Sequence, residues 1–170
     1  MRRFSISFAC ALALVLSAVA AVAQETFTSA DNEYTLELPN ATWKPLSRAD
    51  GVHQHTEFVN GDRSDGFLRI RKEVVDADST PSSLASRDQD LKLRYLPGFV
   101  GGKEEPFAGR LNGVTVSYEY TSAGKPMAGR IYYLKADSRT VYTLHFTGMR
   151  DKILRLRNNT DSIARSFQLK

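Results

Sequence analysis

Residues 114–149 read VTVSYEYTSAGKPMAGRIYYLKADSRTVYTLHFTGM. Three runs, VTVSYEYTSAG, MAGRIYYLKAD and RTVYTLHFTGM, are rich in β-branched and aromatic residues. Short turns of Gly, Lys, Pro, Asp and Ser part them, and short turns make antiparallel neighbours. The stretch therefore predicts a meandering antiparallel sheet with a tyrosine-rich centre.

Further strands extend the pattern upstream. HQHTEFVN (53–60) and GFLRIRKEVV (66–75) flank the turn-rich GDRSDG (61–66), a hairpin signal. EEPFAGRL (104–111) adds one more strand. In NEYTLELPNATWKP (32–45), Tyr34, Leu36 and Leu38 alternate with Thr35 and Glu37, the period-two signature of a half-buried strand. Pro39 ends its hydrogen-bond ladder, and Trp43 is large enough to cap one end of the core. Phe27 starts a partner strand turned by Ala30-Asp31-Asn32.

Two segments have helical spacing. In STPSSLASRDQDLKLRYLPG (79–98), Ser79 or Thr80 caps a helix with Pro81 in its first turn. Leu84, Leu91 and Tyr95 form its stripe, and Pro97-Gly98 end it. In RDKILRLRNNTDSIARSFQLK (150–170), the stripe is Ile153, Leu156, Thr160, Ile163 and Phe167. The opposite face carries Arg150, Lys152, Arg155, Arg157 and Arg165. The expected fold class is α+β, an antiparallel β-sheet flanked by two amphipathic helices.

The chain opens MRRFSISFACALALVLSAVAAVAQE. Arg2 and Arg3 precede an uncharged run from Phe4 to Val22, and Ala21-Val22-Ala23 is a small-x-small cleavage site. This is the pattern of a secretory signal peptide, cut after Ala23. Residues 1–23 are thus expected to be removed, leaving 24–170 as a single domain, periplasmic or secreted, without a transmembrane segment. The only cysteine, Cys10, falls inside the signal and lacks a lipoprotein context. The mature chain then has no disulfide, thiol nucleophile or thiolate metal site, and its stability rests on an apolar core.

Signal removal takes Arg2 and Arg3 and leaves 21 lysines and arginines against 19 acids. Residues 24–65 hold eight acids and three bases, while 66–170 hold eleven acids and eighteen bases. That polarity suits an acidic partner or an anionic surface; an ordinary mixed surface explains it too. No basic block or recognisable motif points to nucleic acid.

Motifs for chemistry are sparse. His53, His55 and Glu57 share one strand face, a ligand set for Zn²⁺ or Cu²⁺. Three consecutive same-face positions span too far for one ion without a bulge, so no metal site or cofactor is assigned. His145 lies on the Thr143/Thr147 face of its own strand and joins only if the strand order allows.

GFVGGK (98–103) has Pro97 where a phosphate loop needs its first glycine, and Glu104 where it needs Ser or Thr. It reads as a flexible loop after the helix. NGDRSDG (60–66) has its glycine one place late for calcium, with Arg71 at the twelfth position. A G-x-S-x-G elbow is absent, and the adjacent Glu104-Glu105 point apart in extended chain. Catalytic residues are therefore none.

Tyr118, Tyr120, Tyr132, Tyr133 and Tyr142 load neighbouring strands with aromatic rings. They pack across strands or line a ligand or partner surface, with Arg110 and Arg130 as cations beside it or as ordinary ion pairs. Asn40-Ala-Thr and Asn158-Asn-Thr are glycosylation sequons in a eukaryotic host.

Phe27, Tyr34-Thr-Leu-Glu-Leu-Pro39 and Trp43 together resemble the opening strand pair of PsbP-like proteins. Leu111-Asn-Gly113 before the strand from Val114 to Tyr120 resembles their central strand entry. Tyr142-Thr-Leu-His-Phe146, then a helix ending Ile163-Ala-Arg-Ser166-Phe167, resembles their closing strand and helix. The resemblance covers roughly residues 26–168. It implies the α/β/α sandwich shared by the PsbP oxygen-evolving subunit, a Ran-GTPase-binding protein and DcrB-type bacterial envelope proteins. It further implies a binding or assembly module, without a shared active site and without functional residues to transfer. The expected function is a non-catalytic module that binds an envelope protein partner. The alternative is a small-molecule or metal carrier using the tyrosine-rich sheet or the His53/His55 strand.

Overall fold

The computed structural model describes residues 25–31, 33–46 and 55–170; the signal segment, Cys10 and His53 lie outside them. Its strands are β1 (Glu25–Thr28), β2 (Tyr34–Leu38), β3 (Trp43–Leu46), β4 (His55–Asn60), β5 (Asp62–Val74), β6 (Val100–Phe107), β7 (Gly113–Ser122), β8 (Lys125–Lys135), β9 (Thr140–Met149) and β10 (Gln168–Leu169). The helices are α1 (Pro81–Leu91), α2 (Arg150–Arg155) and α3 (Arg157–Ser166).

The three tyrosine-rich runs are β7, β8 and β9, paired antiparallel in sequence order as their turns predict. They sit inside a seven-stranded antiparallel sheet of order β3-β4-β5-β9-β8-β7-β6. One sheet was expected; a second, three-stranded sheet of order β1-β2-β10 is present as well. β2 closes it by pairing Thr35 with Gln168 and Tyr34 with Leu169. No local periodicity signals a partner that distant in sequence.

Alternation sorts the large sheet's residues onto two cores. On one face Leu68, Ile70, Tyr132, Leu134, Leu144 and Phe146 meet Leu36 and Leu38 of β2 and Ile163, Ala164 and Phe167 of the C-terminal region. On the other, Val116, Tyr118, Ile131, Tyr133 and Val141 meet Leu84, Ala85 and Leu93 of the α1 region. The result is the expected sandwich, with the small sheet sharing one outer layer with α2 and α3. Trp43 is 1 % exposed and meets Phe146 edge-on at 5.9 Å.

Helix α1 starts where expected. The Thr80 hydroxyl accepts from the Ser83 amide at 3.0 Å, and Ser83 Oγ accepts from the Thr80 amide at 3.0 Å, with Pro81 in the first turn. Its stripe differs from the sequence reading, since Leu91 and Tyr95 are 67 % and 74 % exposed. The helix stops at Leu91, and a 3₁₀ turn over Leu93–Tyr95 changes the pitch, so Leu93 points inward instead. The C-terminal stripe holds, with Ile153, Thr160, Ile163 and Phe167 buried. Its single expected helix is broken into α2 and α3 at Leu156, whose ψ is near 2°.

Two loops of the sequence reading are strands. Most of GDRSDG belongs to β5, and the turn is Gly61 alone, at φ 71°, between the paired Asn60 and Asp62. Asp62 Oδ1 accepts from the Ser64 amide at 2.7 Å and the Asp65 amide at 3.0 Å, so a calcium-like oxygen is spent on the turn. GFVGGK, expected as a flexible loop, enters edge strand β6, whose register shifts between Gly101 and Glu104. Among the described residues no helix is long and apolar enough to cross a membrane.

Candidate functional site

Helix α1 packs chiefly on the β7–β8 part of its face of the sheet and reaches β5 through the Arg87–Glu73 ion pair; beyond it the face turns polar, with Thr143 of β9, Arg69 and Arg71 of β5 and Glu57 of β4. Register aligns Glu57 with Arg69, Arg69 with His145, and His145 with Ile131 in one row across four strands. The Glu57 side chain is 1 % exposed. It accepts from Arg69 Nε at 3.2 Å and Nη2 at 3.1 Å, and from Arg63 Nη2 at 3.3 Å. His55 Nε2 lies 3.0 Å from Glu57 Oε1. Both guanidinium groups also lie over Phe67, at 4.8 and 5.6 Å from its ring centre.

This arrangement engages the Glu57 carboxylate with cations. The carboxylate that a metal would share is held by two guanidinium groups. His145 stands opposite Arg69 and does not join His55. Its partner is Tyr118, whose hydroxyl is 2.7 Å from His145 Nε2. Burial, then the Arg69 charge, lowers the His145 pKa to about 4, so the imidazole is neutral at pH 7. Among the described residues no group of three or more His, Cys, Asp or Glu side chains is placed to hold a metal ion.

A second locus lies on the other face, where α2 and α3 pack beside β6, β7 and β8. A groove of about 230 Å³ opens there between Val100, Ala128, Arg130, Ile153, Leu154 and Arg157. Arg130 is 7 % exposed. It donates from Nε to Tyr132 Oη at 2.7 Å, from Nη1 to Ser117 Oγ at 2.9 Å and from Nη2 to Asp161 Oδ1 at 3.1 Å. Burial alone favours the neutral guanidine, yet the Tyr132 and Asp161 contacts outweigh it and raise the Arg130 pKa. Arg130 is therefore both an ion-pair member and part of the groove wall. Arg110 lines a separate polar depression with Glu37 and Arg165, so the two arginines do not share one pocket.

The five tyrosines do not form one surface. Tyr118 and Tyr133 lie in the α1-side core, whereas Tyr132 and Tyr142 lie in the other; all four are 0–3 % exposed. Only Tyr120 is partly exposed. Their role in this fold is cross-strand packing.

The sequence reading missed Val100 and Leu154, each 61 % exposed on the groove rim. Leu154 carried a signal, being an apolar side chain off the buried stripe and among basic residues. Val100 carries none, because the GFVGGK stretch around it has the composition of a loop.

No protein-family model and no curated protein sequence matches the chain. Solved structures do. The Ran-binding protein Mog1p of Saccharomyces cerevisiae superposes with a TM-score of 0.63 at 10 % identity, over 88 % of this chain and 96 % of its own. Cyanobacterial PsbP (CyanoP) of Synechocystis gives 0.60 at 11 % identity, over 90 % and 96 %. The chain has the PsbP-like fold.

LpqN of Mycobacterium tuberculosis, involved in cell envelope biogenesis, shows the same PsbP-like fold with a TM-score of 0.54 at 17 % identity, over 87 % of this chain and 91 % of its own. This chain also spans 48 % of a longer Bacteroides thetaiotaomicron protein, with a TM-score of 0.58 at 12 % identity. In the PsbP-like sandwich of this protein, the groove lies where the C-terminal helices meet the β6 end of the large sheet.

Proposed function

We propose that residues 24–170 form a non-catalytic binding module of the cell envelope that docks a protein partner. The observation that carries this reading is the groove beside β6. It is apolar along Ala128, Ile153 and Leu154, and Val100 and Leu154 stand exposed on its rim. Large apolar side chains exposed around a concave surface mark interaction sites in proteins of this size. β6 is an edge strand, so an extended partner segment laid along it gains main-chain hydrogen bonds and side-chain contact together.

Three points support the rest. The first 23 residues have the form of a secretory signal, which supports an envelope location for the mature chain. The buried ionisable groups are engaged structurally, Glu57 by Arg63 and Arg69, Asp88 by Arg87 and Lys92, and Arg130 by Asp161. The PsbP-like structures include a Ran-binding protein and one involved in envelope biogenesis.

The test is an affinity capture by residues 24–170 from envelope extract of the source organism, at low and moderate salt, repeated with Leu154→Glu and Val100→Glu. A near-stoichiometric protein retained by the wild type and lost in both variants supports the reading. The same partner retained by both folded variants, or the lack of any partner at either salt, overturns it.

A further inference from the structure

We propose that the arginines of β5 form a second docking face, specific for an extended acidic segment of a protein partner. This goes beyond the groove reading, since the arginines lie on the opposite face of the large sheet and act whether or not the groove is occupied.

Arg63, Arg69 and Arg71 project from β5 on the half of the sheet that α1 leaves uncovered. Two of the three are held in place. Arg63 and Arg69 share Glu57 and lie over Phe67, so their loss of side-chain freedom has already occurred on folding. Glu57 uses one nitrogen of Arg63 and two of Arg69. A guanidinium has five N–H donors, so both keep donors for a further acceptor. Their side chains are 55 % and 42 % exposed. Arg71 is exposed and makes no ion pair among the described residues.

The charge balance selects the partner's sign. Among the described residues, three guanidinium groups face one carboxylate, Glu57, which lies beneath them. The other described acids on this side are bound elsewhere, Glu73 to Arg87 and Asp88 to Arg87 and Lys92. Lys92, at the end of α1, is offset by its partner Asp88, which leaves the arginines of β5 as the unbalanced charge on this side among the described residues.

Spacing selects an extended segment over a single small anion. Arg69 and Arg71 are same-face neighbours on one strand, about 7 Å apart along it. One carboxylate or phosphate does not bridge that span with good geometry at both ends. An extended chain with acids at alternate positions has the same repeat and sets one carboxylate against each arginine.

The test uses the purified protein and two fluorescent decapeptides of equal charge and composition, with binding followed by anisotropy at low salt. In one, glutamate and serine alternate; in the other, a block of glutamates precedes a block of serines. The alternating peptide is expected to bind several-fold more tightly than the block peptide. It should weaken at least tenfold in Arg69→Gln/Arg71→Gln and at least threefold in Arg71→Gln, which breaks no ion pair and so keeps the fold. Arg155→Gln/Arg157→Gln, on α2 and α3, should leave binding within twofold.

Binding unchanged in the folded Arg71→Gln variant, equal loss in the α2/α3 variant, or no binding of either peptide overturns the proposal. So does binding to anionic phospholipid vesicles, lost in Arg71→Gln, in the absence of peptide binding.

Discussion

The Tyr118 hydroxyl reaches His145 across β8 because residue 129, between them, is glycine. Tyr118 pairs with Gly129 in register, and Gly129 pairs with Thr147 one step along from His145. A Cβ at position 129 would be driven into the Tyr118 ring. The missing side chain thus lets an aromatic ring lie flat over the sheet and deliver its hydroxyl to the imidazole at 2.7 Å.

Gly129→Ala is therefore expected to be destabilising despite a small change in volume. Displacing a ring in a packed core costs about 1–3 kcal/mol, and loss of the buried hydrogen bond adds about 1 kcal/mol. Tyr118→Phe, which removes only the hydrogen bond, should lose about 1 kcal/mol. Urea unfolding of the three proteins checks the order; equal stability of wild type and Gly129→Ala would refute the close approach.

Acid should weaken the fold through His145. Its folded-state pKa, about 4, lies below the unfolded value near 6.5, so the unfolded chain takes up the proton first. The stabilisation is full above pH 6.5, falls as pH drops from 6.5 to 4, and changes no further below that. His145→Gln should remove this component, so the stability difference from wild type should vary with pH across that window. Parallel denaturation curves at pH 7.5, 5.5 and 4 measure it, and a pH-independent difference would rule it out.

Glu57→Gln should cost about 2 kcal/mol, less than the loss expected from breaking a fully buried ion pair. The reason is that Arg63 and Arg69 are about half exposed and recover hydration when the carboxylate goes. Crosswise, Arg69→Gln combined with Glu57→Gln should cost less than the sum of the single changes, as measured by a double-mutant cycle.

Thr80→Ala removes the side-chain cap of α1 and should lower stability by about 1 kcal/mol. Hydrogen exchange should rise first in α1, which covers the second core through Leu84 and Ala85. Protection unchanged in α1 would show that the cap is redundant.

The tyrosine-rich meander, the two helices and their caps were legible in the sequence because each depends on neighbours in the chain. Alternation set the faces of β7, β8 and β9; Thr80 with Pro81 marked the start of α1; Ile153 to Phe167 marked the buried stripe at the C-terminus. Where a longer-range partner decides, the sequence was silent or misleading. Leu91 and Tyr95 fit a helical stripe but are exposed, because the 3₁₀ turn gives the inward position to Leu93. GFVGGK has loop composition, yet Val100 and Gly101 within it pair with Glu119 and Tyr118 of β7. His55 and Glu57 have a metal-like spacing on β4; the hairpin signal puts β5 beside them, but only the register set by the tight turn at Gly61 brings Arg69 against Glu57, and only the pairing of β5 with β9, distant in sequence, brings Arg69 beside His145. The sequence by itself determined the elements and the apolar faces that had to be buried, through alternation and helical period. The tertiary structure alone decided which charges met, because hydrogen bonding between strands distant in sequence fixes the register that sets them side by side.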